Sequence, residues 1–197
     1  MQIEDVFSDL PTLETDRTIL RKLRSEDEQD IFHYGSDEEV SRYTAWPTHQ
    51  TMEDTRLYLM RVLHKYSQHA VAPWGIVDKE TGKVIGTSGF MAWDVRHAKA
   101  ELGYALSKDY WNRGYMTEVI RTIISFGFER MKLVRIEASC LPSNRGSARV
   151  MEKAGMSYEG LLRQTIFVKG NHEDLKLYSI VVDDYRNQSN PVNGLVE

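Results

Sequence analysis

Only one of the 197 residues is a cysteine, Cys140. A single thiol can form neither an intramolecular disulfide nor a thiolate metal cluster, so core packing and hydrogen bonds must hold the fold. No run of about 18 apolar residues occurs, which excludes a membrane-spanning helix. The opening MQIEDVFSDLPTLE is acidic and lacks the basic and apolar blocks of a secretory signal, so a cytoplasmic location is expected. Positive charge is in deficit: 25 Lys and Arg stand against 29 Asp and Glu. That balance gives no electrostatic footprint for nucleic acid and mildly favours a cationic partner such as an amine. None of the six histidines has a close ligand spacing, and His64 and His69 do not share a helical face, so no metal is expected. The phosphate loop G-x-x-x-x-G-K-[ST] and the dinucleotide loop G-x-G-x-x-G are both missing, which rejects nucleotide hydrolases and dinucleotide enzymes.

No repeat, low-complexity block or Pro/Gly/Ser linker divides the chain. One continuous α/β unit over residues 13–186 is expected, with a loose extension at 1–12 and a flexible polar tail at 187–197. Arg17 to Leu23 alternates as a first strand. Ser25 with Glu28, Ser36 with Glu39, and Thr51 with Asp54 have capping-box spacing and predict helices, the third running toward Ser67. From Pro73 the period changes, and PWGIVDK, KVIGTSGFMAW and KAELGYALS read as an antiparallel meander. Met116, Val119, Ile120, Ile123, Ile124, Gly127 and Met131 recur every three or four residues and predict a helix with one buried face. Leu133 to Cys140 alternates as a strand, with Val134, Ile136, Ala138 and Cys140 on one face. Asn144 suits the N-cap of a following helix that Gly155 ends. Two closing strands, near Gly160 to Val168 and Asp174 to Val182, flank a turn at Lys169-Gly170-Asn171.

Chemistry concentrates where a strand turns into a helix, at LSKDYWNRGYMTEVI. The amides of Asn112, Arg113, Gly114, Tyr115, Met116 and Thr117 fall at the helix start. Amides there lack intrahelical partners and point outward beside the positive end of the helix dipole, a site that binds phosphate. Gly114 lets the backbone approach an anion, and Arg113 and the Thr117 hydroxyl add donors. A plain turn that starts a helix explains the same residues about equally well.

ELGYALSKDYWNRGYMTE resembles the "E-I-G-Y … W-G-x-G-Y-A-T-E" segment, and the Q/R-x-x-G-x-G/A motif within it, of GNAT acetyltransferases of the ribosomal-protein alanine N-acetyltransferase-like (RimJ/RimL) branch. LPSNRGSARVMEKAGM is similar to that branch's "N-x-x-S … K-x-G-F" segment, and LETDRTILRKL to its opening strand. The resemblance covers Leu13 to Tyr185. Trp111 stands where the superfamily has Gln or Arg, Met116 where a small residue is usual, and Met156 where Phe is common. The resemblance implies an α/β (α+β) GNAT fold: a mixed, mostly antiparallel sheet of about seven strands with a V-shaped splay, flanked by four or five helices. It also implies acetyl-CoA as donor, its pantetheine arm pairing with the backbone of Tyr104, Ala105 and Leu106 while Asn144 and Ser147 approach from the other side. Catalysis is then expected from Glu101 as general base, directly or through water, and Ser147 as general acid, with Tyr178 as a rival acid.

Each residue has a plainer reading. Glu101 is otherwise a solvated carboxylate paired with Lys99 or Arg113, and Ser147 a first-turn helix residue. Cys140 reads as a small buried apolar residue rather than a nucleophile. Tyr34, Tyr43, Trp46 and Trp74 would line an acceptor pocket, with Asp37, Glu38 and Glu39 attracting a cation, unless they serve the core and a solvated helix face. The acceptor is expected to be a peptide or protein N-terminal amine. A small-molecule amine (polyamine, aminoglycoside or amino acid) and a non-catalytic acyl-CoA-binding module are the alternatives, and the assembly a monomer or homodimer.

Overall fold

The computed structural model describes residues 2–189. The meander reads as expected: β3 (Trp74–Asp78), β4 (Val84–Asp94) and β5 (Lys99–Leu106) pair antiparallel in sequence order. They extend the pairing of β1 (Leu13–Glu14) and β2 (Thr18–Arg21). A helix, α5 (Tyr115–Glu129), then carries the chain back to β6 (Arg135–Cys140), which lies parallel to β5 as a helical crossover requires. The closing hairpin, β7 (Ser157–Val168) and β8 (Asn171–Val181), completes the order β1-β2-β3-β4-β5-β6-β8-β7. Lys169 (φ 50°) and Gly170 (φ 84°) make its turn, both left-handed as a two-residue hairpin loop demands.

The sheet has eight strands, one more than expected, because two-residue β1 is too short to show a period. Seven helices occur among the described residues. The surplus comes from α1 (Glu4–Phe7) and α7 (Val182–Ser189), each at most eight residues long, whereas α3 (Glu38–Ser41) is the helix expected from the Ser36–Glu39 spacing. The other helices are α2 (Glu28–Gly35), α4 (Met52–Ser67) and α6 (Arg145–Lys153).

Two cores lie on the two sheet faces. Val119, Ile120, Ile123 and Ile124 of α5, with Ala148 and Met151 of α6, pack on Ile76, Phe90, Ala100, Leu102, Ile136 and Ala138. On the opposite face Ile31, Leu59 and Val62 from α2 and α4 meet Leu23, Val77 and Val84. Alternation therefore sets each strand residue's side: Ala100, Leu102 and Leu106 enter the first core, and Glu101 and Gly103 face the other way.

Several local expectations are corrected. The N-terminal extension is not loose up to its junction with the domain. Val6, Phe7 and Leu10 are buried, and the Trp74 indole donates to the Pro11 carbonyl at 2.7 Å. Apolar burial outweighs the entropy of a polar-looking opening. The cap of α3 is Asp37, whose carboxylate accepts from the Glu39 amide, because the Ser36 amide still bonds the Phe32 carbonyl at the end of α2. The expected box at Ser25 is built one residue earlier, with the Asp27 carboxylate accepting from the Arg24 amide. Thr51 and Asp54 form their capping box as expected. Val134 is 50% exposed and precedes β6, since its amide bonds the Ala98 carbonyl outside the ladder. The tail at 187–197 falls partly on α7, and the remainder lies outside the described residues.

Candidate functional site

The strand-to-helix turn has the geometry of an anion cradle. After a 3-10 turn at Lys108–Tyr110, Asn112 (φ 58°) and Gly114 (φ 83°) both adopt left-handed backbone, and Gly114 is the N-cap of α5. Runs of successive amides around left-handed residues form backbone concavities that bind anions. The amides of Asn112, Arg113, Gly114, Tyr115, Met116 and Thr117 have no hydrogen-bond acceptor among the described residues; the first α5 amide to find one is that of Glu118, on the Gly114 carbonyl at 3.2 Å. The Tyr115 and Met116 side chains point away into the core, both 5% exposed, which leaves their amides to face outward.

The loop is braced from several directions. The Trp111 indole donates to the Leu106 carbonyl at 2.8 Å, so Trp111 in place of Gln or Arg acts as a brace within the loop. The Arg113 guanidinium lies 5.6 Å from the Tyr110 and Tyr115 ring centres, and Lys108 pairs with Glu39 of α3. Arg17, at the start of the expected first strand, lies over the Tyr115 ring at 4.1 Å, donates to the Arg113 carbonyl at 2.9 Å and pairs with Glu118 at 2.8 Å. Burial pushes the Glu118 carboxyl up, but the donors around it, Arg17 among them, more than reverse this and hold it below its ordinary value. The one carboxylate in the first turn of the helix is thereby neutralised beside the outward-facing amides. Arg17 sits 96 residues before Arg113 and 101 before Glu118, so no local spacing could have exposed it.

The splay opens beside the cradle. β5 and β6 pair only at Lys99, Ala100 and Glu101 with Arg135, Ile136 and Glu137. Beyond Glu101, β5 runs on to Leu106 with a ladder partner on the β4 side alone, and β6 runs on to Cys140 paired only with β8. Half the backbone polar groups of Gly103, Tyr104, Ala105 and Leu106 thus have no strand partner across the slot, apart from the Leu106 carbonyl that Trp111 takes. Such an edge accepts an extended ligand as an added strand.

The two walls are bridged on the helix side. The Tyr104 phenol meets the Ser147 hydroxyl at 2.8 Å and the Ser147 carbonyl at 3.1 Å. Burial raises the Tyr104 phenol above its ordinary value, so it stays protonated. Asn144 is committed locally: its side chain caps α6 by accepting from the Ser147 amide at 3.0 Å. It orients Ser147 and is not free to reach into the slot. Cys140 is buried at 6% exposure, and burial raises its thiol, which matches the packing reading. Tyr178 bonds Glu152 at 3.2 Å under α6, and burial, then Glu152, pushes its phenol up to about 12. That is a poor donor aimed at a helix.

Glu101 is the last paired residue of β5, at the closed end of the slot where the two strands begin to part. It is exposed and in no ion pair among the described residues; Lys99 goes to Glu137 instead, and Arg113 to the aromatic rings. The charges nearby are spoken for. Arg135 binds Glu159 bidentately at 2.5 and 2.7 Å and Glu137 at 2.6 Å, and this contact with Arg135 pulls Glu159 down to about 2.

The aromatic residues divide. Trp74 (0% exposed) and Tyr34 (3%) are core, and Tyr34 packs with Trp46, His49, Tyr58 and Thr87 around a minute internal void. Tyr43 lies beside Arg42. A separate open cleft of about 680 Å³ is lined by Glu38, Glu39, Arg42, Pro47, Gln50 and Lys169. The Lys169 ammonium donates to the Ser41 carbonyl at 2.5 Å, so the β7–β8 turn leans against α3.

Comparison with known proteins bears on the family and the fold. Residues 17–157 match the family model described as an acetyltransferase (GNAT) domain. An uncharacterized N-acetyltransferase of Bacillus subtilis is 36% identical over 87% of this chain and 97% of its own. The ribosomal-protein-serine acetyltransferase of Escherichia coli is 28% identical over 70% of this chain and 76% of its own. The crystal structure of a GNAT-family acetyltransferase from Bacillus anthracis superposes with a TM-score of 0.77 at 29% identity, covering 87% of this chain and 98% of that one.

Proposed function

Because the chain belongs to the GNAT family of acetyl-CoA-dependent N-acetyltransferases, we propose that it acetylates the N-terminal α-amine of a peptide or protein, with Glu101 as general base and Ser147 as general acid. The observation that carries the reading is Glu101: exposed, free of any ion pair among the described residues, and placed where the slot opens. The residues fit the cofactor. The free amides from Asn112 to Thr117, with Arg113, suit a pyrophosphate, and the unpaired edge of Tyr104, Ala105 and Leu106 suits the pantetheine amides. Bound there, acetyl-CoA supplies an acetyl group activated as a thioester.

The protein's own groups then manage two protons. Glu101 takes one from the acceptor ammonium, directly or through a water. Ser147 gives one to the departing thiolate, its hydroxyl held by Tyr104 and its backbone by Asn144. A thiol has a pKa of about 8.5, so the departing group needs little help. Tyr104 is a positioning residue on this scheme. Tyr104→Phe and Ser147→Ala are each expected to lower kcat by roughly ten- to a hundredfold, with the KM for acetyl-CoA little moved. The double variant should be no worse than either single one, because both act through one hydroxyl. Losses that multiply in steady-state kinetics would separate the two residues.

An N-terminal α-amine suits this site on energetic grounds. Deprotonating it at pH 7 costs about 1 kcal/mol, against over 4 for a lysine. The open cleft between α3 and the β7–β8 turn, with acidic and basic residues both on its rim, favours an extended peptide over a compact cation, and the Escherichia coli relative's name points the same way. Thiol release with Ala- and Ser-initiated peptides, a polyamine and an aminoglycoside tests the reading. Peptide turnover is expected. Turnover of the polyamine or aminoglycoside alone reassigns the acceptor, and acetyl-CoA binding without thiol release from any of them leaves an acyl-CoA-binding module.

A further inference from the structure

Met91 is the surplus residue of β4. Phe90 lies opposite Leu102 and Ala92 opposite Glu101, and the register shifts between them. A residue left over in this way has no cross-strand partner, and its side chain is re-aimed. Here it lies over Gly103. A Cβ built on Gly103 would stand 2.7 Å from Met91 Cγ and 3.0 Å from Sδ, so the thioether occupies the space a side chain at 103 would need. The same side chain is 61% exposed, so core packing does not account for it. Gly103 and Glu101 share one face of β5, and Gly103 is two residues beyond the last β5–β6 pair. Met91 therefore overhangs the β5 wall of the slot just beyond the closed end where Glu101 stands.

We infer that Met91 limits the length of the acyl group the slot accepts, making the chain selective for acetyl over longer acyl-CoA thioesters. The inference rests on the reading of the slot as the CoA site. With pantetheine along Tyr104 to Leu106, the thioester comes level with Gly103, and the acyl carbons have three ways onward. Toward Glu101 and Glu137 the strands are joined by their ladder. Toward the helices stand Leu102 and Ala138, 3% and 1% exposed in a packed core. The remaining way is the open face, and Met91 lies across it. Because a methionine side chain is flexible, it discriminates by occupying volume, and shortening it opens the path.

Calorimetric titration of the full chain with CoA, acetyl-CoA and butyryl-CoA tests this without an acceptor. Wild type is expected to bind acetyl-CoA about tenfold or more tighter than butyryl-CoA, the scale on which a pocket resolves one or two methylenes. Met91→Ala brings the two affinities close together, and Met91→Val falls between. Equal affinities in wild type, or an acetyl preference that survives in both variants, would overturn the inference. CoA itself carries no acyl group, so its binding reports the slot alone. If wild type binds none of the three, the CoA-site reading fails first and takes this inference with it; if CoA binds and the preference ignores Met91, only the role of Met91 fails.

Discussion

Gly114→Glu is expected to abolish acetyl-CoA binding in a calorimetric titration while the chain stays folded. Gly114 holds φ 83°, and the only atom near the position of an added Cβ is the Arg17 Nη2 at 3.4 Å. A side chain is therefore strained in backbone conformation, by about 1–2 kcal/mol, yet meets no packed obstacle. Its carboxylate would lie among the free amides from Asn112 to Thr117 and beside Arg113 and Arg17, filling the anion site from within. Any phosphate that still approached would meet a like charge; at about 4 Å in a surface environment that repulsion is about 4 kcal/mol, enough to weaken binding more than a hundredfold. Gly114→Ala separates strain from charge. It should bind several-fold more weakly and keep a measurable heat. Near-native affinity in Gly114→Glu would remove the cradle from the site, because no other arrangement of CoA phosphates on this turn could ignore that carboxylate.

The parts of this site that the sequence made readable are those built from neighbours in the chain. The cradle is six consecutive residues whose backbone geometry follows from a glycine and a helix start. The slot wall is a single alternating strand, and the Asn144 cap is a four-residue motif ending at Ser147. What stayed hidden was assembled across the sheet. Arg17 reaches Glu118 and Tyr115 only because β2 and α5 meet in three dimensions. The Tyr104 phenol finds Ser147 across 43 positions. Asn144, expected at the cofactor, was claimed by its own helix, since a side chain that caps cannot also reach away. Met91 was invisible for a different reason. A bulge interrupts the period of two, and inside KVIGTSGFMAW nothing marks which residue will be the extra one. Length imposed a limit as well: α1, α3 and β1 are too short for periodicity, and burial of Val6, Phe7 and Leu10 is decided by a hydrophobic face that only the assembled sheet provides.

Glu101→Gln is expected to lower turnover by about 10²- to 10⁴-fold while acetyl-CoA binds as in wild type, since Glu101 sits at the closed end of the slot, away from the cradle and outside the unpaired edge. The substitution keeps the size of the side chain and removes its negative charge and with it the capacity to take a proton. Its effect should therefore depend on how much neutral amine the solution already supplies. For an α-amine with a pKa near 7.7–8.0, roughly a tenth to a sixth is neutral at pH 7 and nearly all at pH 9. The deficit of the variant relative to wild type should shrink as pH rises through 8, by up to roughly tenfold, and then level off. A lysine or polyamine acceptor would shift that recovery above pH 10, so the same profile also reports which amine is used. A deficit flat from pH 6 to pH 10 would mean that Glu101 positions the acceptor without moving its proton. Wild-type turnover in Glu101→Gln would pass the base to another group on the open face. Glu137 and Glu159 are poor heirs, each already held by Arg135, and a carboxylate that has surrendered its lone pairs to a guanidinium has little left with which to take a proton from an amine.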